Sequence, residues 1–437
     1  MDSRAAQQSS QNVATGETGA SWGASVLHQL PPQARHWLRT AVEVYRRITP
    51  ILPLVTVAAM LLLMAQVYYN VQRYYTKPGY KGIAAFADIG LISGTHLGLS
   101  DLVMNHNPTG FDGQFFYFIA LDPEQPFICA ERPRPANCAL DSAFGEVRSE
   151  RILYPYVAGV LTLGAPQLVP YTLLLVNFAA ILLTAWLVGR LAVQAGASVW
   201  MAAAAGLFCG EVLGFLRDVA DPVAVFWVIL AIYLLRQERY LWMSLAIAAA
   251  LLTREQLILT VPLLFLPLIA GRRWLALGLG LLIGLGPFLV WQIVLRVMWG
   301  RWALASGDTA GAGVAQGIGL PFHGLWDARA RPQSGLIVTF VVIPLVLATV
   351  IALAHIWRAG PRHLLVDPVP AIAILYALLL SLTSKILWGD MWTPGRLAAL
   401  AVVIGVILVS ELPSPSLRAS YATLLSITSL VAIMVVR

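Results

Sequence analysis

The sequence predicts an all-α protein that crosses a membrane many times as a polytopic helix bundle, and two observations carry this prediction. Of the 437 residues, 58% are hydrophobic and only 12% are charged, far from the balance of a soluble domain. Apolar runs such as PILPLVTVAAMLLLMAQVYY (50–69) and LVPYTLLLVNFAAILLTAWLVG (168–189) are long enough to cross a hydrocarbon core of about 30 Å as helices. The pattern excludes a soluble enzyme or binding module.

The chain divides into a short tail and one membrane domain. Residues 1–34 are rich in Gln, Ser, Ala and Gly and contain no apolar run, so we expect a disordered cytoplasmic tail rather than a signal peptide. Residues 35–437 form the predicted transmembrane domain. Its apolar runs indicate about eleven spans, within a range of about 10 to 13, one of them at 198–215.

Arginines orient these spans, because short cytoplasmic loops collect Arg and Lys. Alternate loops carry arginines, at Arg190, Arg236, Arg239, Arg272, Arg273, Arg358, Arg362 and Arg418. With the N-terminus in the cytoplasm, the long loop 70–150 and the Gly-rich loop 298–334 lie outside, together with nearly all carboxylates. The formal charge of +7 therefore reflects membrane orientation, and no basic cluster indicates nucleic-acid binding.

The first outer loop, 70–150, is too long for a simple connection, and loops of this size are usually functional. Its runs at 82–104 and 111–122 predict helices lying in the membrane interface. In the second run, GFDGQFFYFIALDP, Phe115, Phe116 and Tyr117 are suited to the headgroup level. Asp112 opens this helix, either as a simple helix-start residue or as a functional acid.

Two cysteines and two arginines complete this loop. An extracytoplasmic location permits a disulfide between Cys129 and Cys138 in CAERPRPANC, and no His lies close enough to favour a metal site. Arg148 and Arg151 precede a re-entrant or interfacial segment, 152–165. Three residues apart, they can share a helix face and bind phosphate as forks, or they can snorkel to the interface.

The order of these features resembles the GT-C superfamily of membrane glycosyltransferases, which use polyprenyl-phosphate sugars. FDGQFFYFIA and RILYPYVAGVL look like the W-D-x-x-Y-F-x-x-I-A and F-P-x-x-P blocks of GPI mannosyltransferases. They are closer still to the G-Y-D-G-Q-F-Y-Y and R-I-L-Y-P blocks of bacterial membrane proteins linked to cell-surface glycopolymer formation. The motif resemblance covers about 50 residues, roughly 110–160, and elsewhere only the layout matches.

The resemblance implies a GT-C-like fold in a bacterial cytoplasmic membrane, with the active site outside. It implies inverting transfer of a sugar from a polyprenyl-phosphate donor to a glycan or lipid acceptor. The family's first-loop carboxylate falls on Asp112, which would act as general base, with Asp88 as the rival. Position 111 is Phe where the eukaryotic block has Trp, and no second acid follows closely, so a metal-binding D-x-D is unsupported.

Such a transfer needs a base for the acceptor hydroxyl and cations for the leaving phosphate. In a partly desolvated site we expect the pKa of Asp112 to be raised, which suits a base. The candidate phosphate-binding residues are Arg148, Arg151, Arg254, Lys385 and Arg396. The candidate substrate-binding residues are Gln114, Tyr117, Tyr154, Arg217, Asp218, Glu255, Trp388, Asp390 and Trp392.

Several of these residues have plain structural alternatives. Arg254 and Glu255 can form a structural pair near the interface, and the two tryptophans can be anchors in the aromatic belt rather than a wall for a sugar ring. Asp221 precedes a proline, which favours a structural turn.

Two other functions stay open. The chain can be a transporter or flippase of a lipid-linked saccharide or a small anion, or a catalytically silent scaffold; the charges gather at one face, which favours the transferase. The sequence indicates no cofactor and leaves a divalent metal open. It identifies neither the sugar, the acceptor nor the oligomeric state.

Overall fold

A computed structural model describes residues 49–75, 82–91, 94, 102–103, 109–131, 135, 138–140, 145–303, 320–383 and 387–435. Within these ranges all regular structure is helical. The predicted tail 1–34, residues 304–319 of the Gly-rich loop and Lys385 lie outside the described residues.

The α-helices follow the predicted apolar runs closely. In chain order they are α1 Leu52–Gln72, α2 Ala84–Ala87, α3 Asp112–Leu121, α4 Gln125–Ile128, α5 Gly145–Ser149, α6 Leu153–Leu161, α7 Val169–Gln194, α8 Met201–Gly206, α9 Cys209–Leu216, α10 Asp221–Arg236, α11 Tyr240–Thr253, α12 Val261–Ala270, α13 Trp274–Trp299, α14 His323–Asp327, α15 Ser334–Ile337, α16 Ile343–Ala359, α17 Val369–Ser381, α18 Trp392–Ser410 and α19 Pro415–Val435. Turns of 3₁₀-helix at Pro166–Leu168, Glu255–Thr260 and Pro361–Leu365, and a π-helical turn at Val338–Val342, adjoin them.

Five helical segments are long and apolar enough to cross a membrane: Leu52–Gln72, Pro166–Gln194, Trp274–Trp299, Ser334–Ala359 and Trp392–Ser410. Three further apolar helices, Tyr240–Thr253, Glu255–Ala270 and Val369–Ser381, are shorter. The described residues therefore form a helical membrane protein, and the larger count of about eleven spans stays a prediction.

One predicted span is wrong. The run 198–215 is not a single helix, because α8 ends and α9 begins on either side of an extended Phe208. The backbone N–H of Cys209 has no helical acceptor at this break. It donates instead to the Ser429 hydroxyl of α19 at 3.0 Å, so a neighbouring helix supplies the hydrogen-bond acceptor that is missing at the break.

The centre of the bundle is α18, which is almost wholly buried and packs against α7, α9, α10, α16 and α17. The longest peripheral helix, α13, exposes apolar side chains such as Leu275, Leu282 and Val297 along its length. This contrast is expected of a bundle whose outer surface faces lipid.

The helix predicted at 111–122 packs into the protein core. Helix α3 is buried from Asp112 to Ala120, including Phe115, Phe116 and Tyr117, so these aromatic residues are core and not headgroup anchors. The ring of Phe116 meets that of Tyr154 of α6 edge to face, with centroids 5.4 Å apart. Helix α6 has only nine residues, which agrees with a segment too short to span. In the run 82–104 the structure describes the short helix α2 together with further helical residues at positions 91 and 94.

A disulfide joins Cys129 and Cys138, as expected from their spacing, with Cα atoms 4.9 Å apart. It closes a loop directly after α4, next to the buried residues Ala139 and Leu140. The disulfide therefore restrains the loop that follows α4 covalently.

Two groups of ion-paired side chains lie at opposite ends of α10. At one end, Arg236 donates to Asp367 at 2.8 Å and to Glu411 at 2.5 Å. At the other end lie Asp221 and Arg396. Because Asp221 begins α10 and Arg236 ends it, the 16-residue helix separates the two groups by about 22 Å.

Candidate functional site

The site is built around the start of α3, where three segments meet at Gly113. A Cβ atom at this position would lie 2.3 Å from the carbonyl oxygen of Arg217 and 3.0 Å from that of Ala87. The Phe111 N–H also donates to the Asp88 carbonyl at 3.0 Å. Only glycine allows this approach, so the glycine after Asp112 brings the segments around residues 88, 112 and 217 together.

Gln114 fixes the same turn. Its side-chain amide donates to the Thr109 carbonyl at 3.0 Å, and its oxygen accepts from the Gly90 N–H at 3.2 Å. Both polar atoms are used within the protein, so Gln114 has a structural role here, and its contact with substrate stays a prediction.

Asp112 is held by two arginines from distant parts of the chain. Arg148, at the end of α5, places Nη2 2.5 Å from Oδ1, and Arg396, in the first turn of α18, places Nη2 2.8 Å from Oδ2. Phe111 and Phe115 pack against these guanidinium groups, with centroids 5.0 Å from Arg396 and 5.1 Å from Arg148. The first outer loop and the central helix therefore meet at one carboxylate.

Three more arginines surround this centre, each with its own carboxylate. Arg151 forms a two-pronged contact with Glu255 at 2.6 and 2.8 Å. Arg254 pairs with Asp221, whose second oxygen lies 3.6 Å from Nη1 of Arg396. A chain of alternating charge thus joins α10, α18 and the turn after α11.

Arg217 completes the cluster through Asp88, with which it forms a buried ion pair. Its guanidinium group lies over the Trp392 ring at 4.2 Å and near Phe111 at 5.5 Å. Trp392 is therefore a stacking partner for a buried arginine rather than an interfacial anchor.

Within the described residues, the cluster contains more guanidinium groups than ion-paired carboxylates. Five arginines pair with four such acids, and each of the nine side chains is buried or nearly so. Nε and Nη1 of Arg396 and Nε of Arg217 have no hydrogen-bond partner within the described residues. These unused guanidinium donors suit an anion.

The electrostatics of Asp112 contradict the expected raised pKa. Burial raises the pKa of this carboxyl, but the guanidinium groups of Arg148, Arg396 and Arg151 outweigh burial and hold the pKa well below its usual range. In this state Asp112 is a stable carboxylate with little tendency to take up a proton.

Other predicted residues have structural roles. Tyr154 donates to the Leu173 carbonyl at 3.2 Å and accepts from Asn177 at 2.8 Å. Asp390 accepts from the Thr393 N–H at 3.1 Å at the start of α18. Tyr117 and Trp388 are buried in the core.

Sequence reasoning missed two acids. Asp221 was expected to form only a turn before Pro222, yet it lies at the centre of the arginine cluster. Glu211 lies within an apolar run, and a single acidic residue in such a run is itself a signal of a functional site. Glu211 and Asp218 are completely buried, and their carboxyl oxygens have no hydrogen-bond partner within the described residues.

Within the described ranges, no three His, Cys, Asp or Glu side chains converge as metal ligands would. In comparisons with known proteins, no family model, curated protein or solved structure matches this chain. Its function is therefore inferred from the arginine cluster and from the motifs that build it.

Proposed function

We propose that this chain is a membrane glycosyltransferase of the GT-C type. It transfers a sugar from a polyprenyl-phosphate donor to a glycan or lipid acceptor at the extracytoplasmic face of a bacterial cytoplasmic membrane. The observation that supports this proposal best is the convergence of two buried arginines, Arg148 and Arg396, on Asp112 of the segment GFDGQFFYF, within a cluster of five arginines. Burying ion pairs contributes little to stability, because desolvation offsets their attraction, so a function is the better reason for this set.

In the proposed site the arginines bind the phosphate of the donor and stabilise the charge that develops on it as the sugar leaves. Arg396 is best suited to this role, since two of its nitrogens have no hydrogen-bond partner within the described residues. Arg148 lies on the other side of Asp112 and can reach the same anion.

A groove of about 300 Å³ supports a lipid donor. Phe322, Leu325, Trp326 and Val338 line it, and Arg329 lies at its edge. The ring of Phe322 is 6.1 Å from that of Trp388, in the segment that leads to α18.

A second contact ties the groove to the arginine cluster, because Gln333 accepts from the Met391 N–H at 2.9 Å. Met391 directly precedes α18, which carries Arg396. In the proposed complex a prenyl chain lies in this groove and its phosphate binds to the arginine cluster.

The acceptor hydroxyl needs a base, and Asp112 is the candidate that lies among the arginines. Asp88 is the alternative, although its pairing with Arg217 occupies it in a similar way. The choice between Asp112 and Asp88 as the base is made by experiment, because both carboxylates are paired with arginine.

The test uses purified protein in proteoliposomes with radiolabelled polyprenyl-phosphate sugars. Asp112→Asn and Asp88→Asn are compared with wild type and with Glu124→Gln, an exposed carboxyl just after α3. We expect Asp112→Asn to lose transfer by about 100-fold or more, and Glu124→Gln to retain it. Full activity in Asp112→Asn would reject this residue as the base, and loss only in Asp88→Asn would assign the role to Asp88.

Glu211 supports a second candidate, a proton-coupled transporter of an anionic lipid-linked saccharide. A completely buried carboxyl in a membrane helix bundle is typical of proton pathways. Donor-dependent proton uptake into proteoliposomes, abolished in Glu211→Gln and kept in the exposed control Glu238→Gln, would favour this function. Transfer of sugar without any proton uptake would reject it.

A further inference from the structure

Both oxygens of Asp112 are occupied. Oδ1 faces Arg148 and Oδ2 faces Arg396, at 2.5 and 2.8 Å, and the side chain is buried. A carboxylate held in this way cannot readily accept a proton from a hydroxyl group. The proposed base is therefore inactive in the ligand-free arrangement.

Arg396 is attached to its carboxylate by fewer hydrogen bonds than Arg151 is. Arg151 grips Glu255 with two nitrogens, whereas Arg396 contacts Asp112 through one nitrogen, and its Nε and Nη1 have no hydrogen-bond partner within the described residues. Arg396 is therefore able to accept a second anion or to exchange one anion for another.

A phosphate is the natural substitute for this carboxylate. Guanidinium forks bind carboxylate and phosphate oxygens with the same geometry, and phosphate offers more acceptor oxygens. A donor phosphate that enters between Arg148 and Arg396 would compete directly with Asp112.

We propose that Asp112 occupies the phosphate site of the donor in the ligand-free protein, and that phosphate binding draws Arg148 and Arg396 away and releases Asp112 as the base. This inference rests on the proposed transferase function. It assigns an autoinhibitory contact and a fixed order, because the base becomes competent only after the donor has bound.

The chemical step then balances. The released carboxylate of Asp112 takes the proton of the acceptor hydroxyl, whose oxygen forms a bond to the anomeric carbon. The bond between that carbon and the phosphate oxygen breaks, and its electron pair leaves with the polyprenyl phosphate. The additional negative charge falls on the phosphate that the two arginines hold.

Binding of farnesyl phosphate to the full-length protein in detergent tests the exchange, by calorimetric titration. We expect Asp112→Asn to bind farnesyl phosphate about tenfold more tightly than wild type, because the competing carboxylate is gone. Glu124→Gln should bind like wild type, and farnesol, which lacks the phosphate, should show no difference between the variants. Wild-type or weaker affinity in Asp112→Asn would overturn the proposal.

A second measurement uses only the wild-type chain, so it does not depend on the folding of the variant. A carboxyl-modifying diazo reagent, followed by peptide mass spectrometry, should label Asp112 several-fold faster when farnesyl phosphate is present. Glu124, which is exposed, serves as the internal reference. Unchanged labelling of Asp112 in the presence of bound farnesyl phosphate would refute the release.

The outcomes also separate this inference from the proposed function. If farnesyl phosphate binds and sugar is transferred but Asp112→Asn gains no affinity, the exchange is wrong and the transferase stands. If no variant binds farnesyl phosphate, both are wrong.

Discussion

Replacing Gly113 by alanine should displace the helix start that carries Asp112. The new Cβ atom would lie 2.3 Å from the Arg217 carbonyl oxygen and 3.0 Å from the Ala87 carbonyl oxygen. Both obstacles are backbone atoms in tightly packed segments, so neither can move aside as a flexible side chain could. Ordinary contact begins near 3.4 Å, and the start of α3 must therefore shift by about 1 Å.

A shift of this size has a structural cost and a functional one. Overpacking of a tight site usually costs about 1 to 3 kcal/mol, and this contact lies at the upper end of that range, at about 3 kcal/mol. The same shift would lengthen the contacts of Asp112 with Arg148 and Arg396 to about 3.5 Å, beyond good hydrogen-bond distance.

The assay is thermal unfolding of purified Gly113→Ala in detergent, together with sugar transfer in proteoliposomes. The matched control is Gly278→Ala in α13, where a Cβ atom meets nothing within 4 Å. It should be neutral or stabilising by up to about 1 kcal/mol, because alanine favours helix more than glycine does. A Gly113→Ala protein with the Tm and activity of wild type would refute the close approach of the three segments.

Three further outcomes are expected. Because the pKa of Asp112 is depressed in the folded protein, its ion pairs contribute stability above about pH 4, and this contribution is lost as the pH falls further. The difference in Tm between wild type and Asp112→Asn should therefore be constant from pH 7 to 5 and shrink in stronger acid. Arg236→Gln should cost about 1 to 3 kcal/mol in thermal unfolding because it leaves two partly buried carboxylates unpaired, and a cost no larger than that of exposed Arg190→Gln would contradict this. Replacing both disulfide cysteines by serine should cost about 3 kcal/mol, from the entropy of a loop closed over nine positions, and unchanged stability under reducing conditions would contradict that estimate.

The helices could be predicted from the sequence because apolar runs and helix-breaking residues are local signals. Helix α11 is the clearest case, since its apolar run begins at Tyr240 and the helix ends at Thr253, directly before the charged Arg254. The break at Phe208 could not be predicted, because it depends on the Ser429 hydroxyl more than 200 positions away.

The members of the site were predictable but their partners were not. Arg254 and Glu255 are adjacent, and a pair between them was one alternative that the sequence left open. In the structure Arg254 has extended backbone, which turns consecutive side chains in opposite directions, so Arg254 reaches Asp221 and Glu255 reaches Arg151. Residue type follows from the sequence, whereas pairing follows from tertiary packing.

The pKa of Asp112 shows the same limit. Burial alone would have raised it, and the sequence offered no means of knowing that two arginines from positions 148 and 396 would converge on it. The expected rise in the pKa of Asp112 was wrong because it considered this carboxyl alone and not the arginines that surround it.

The spacing between the two charged groups has a consequence for the surrounding lipid. Helix α10 has Asp221 at one end and Arg236 at the other, and α18 has Arg396 near its start and Glu411 directly after its end. In each helix the two charged residues are about 22 Å apart. A typical hydrocarbon core is about 30 Å thick, so with these helices along the membrane normal the bilayer is thicker than the apolar belt. The arginine cluster would then lie several ångströms below the headgroups, where a lipid-borne phosphate can reach it while its prenyl chain stays in hydrocarbon. Acyl-chain length should therefore tune this protein through hydrophobic mismatch.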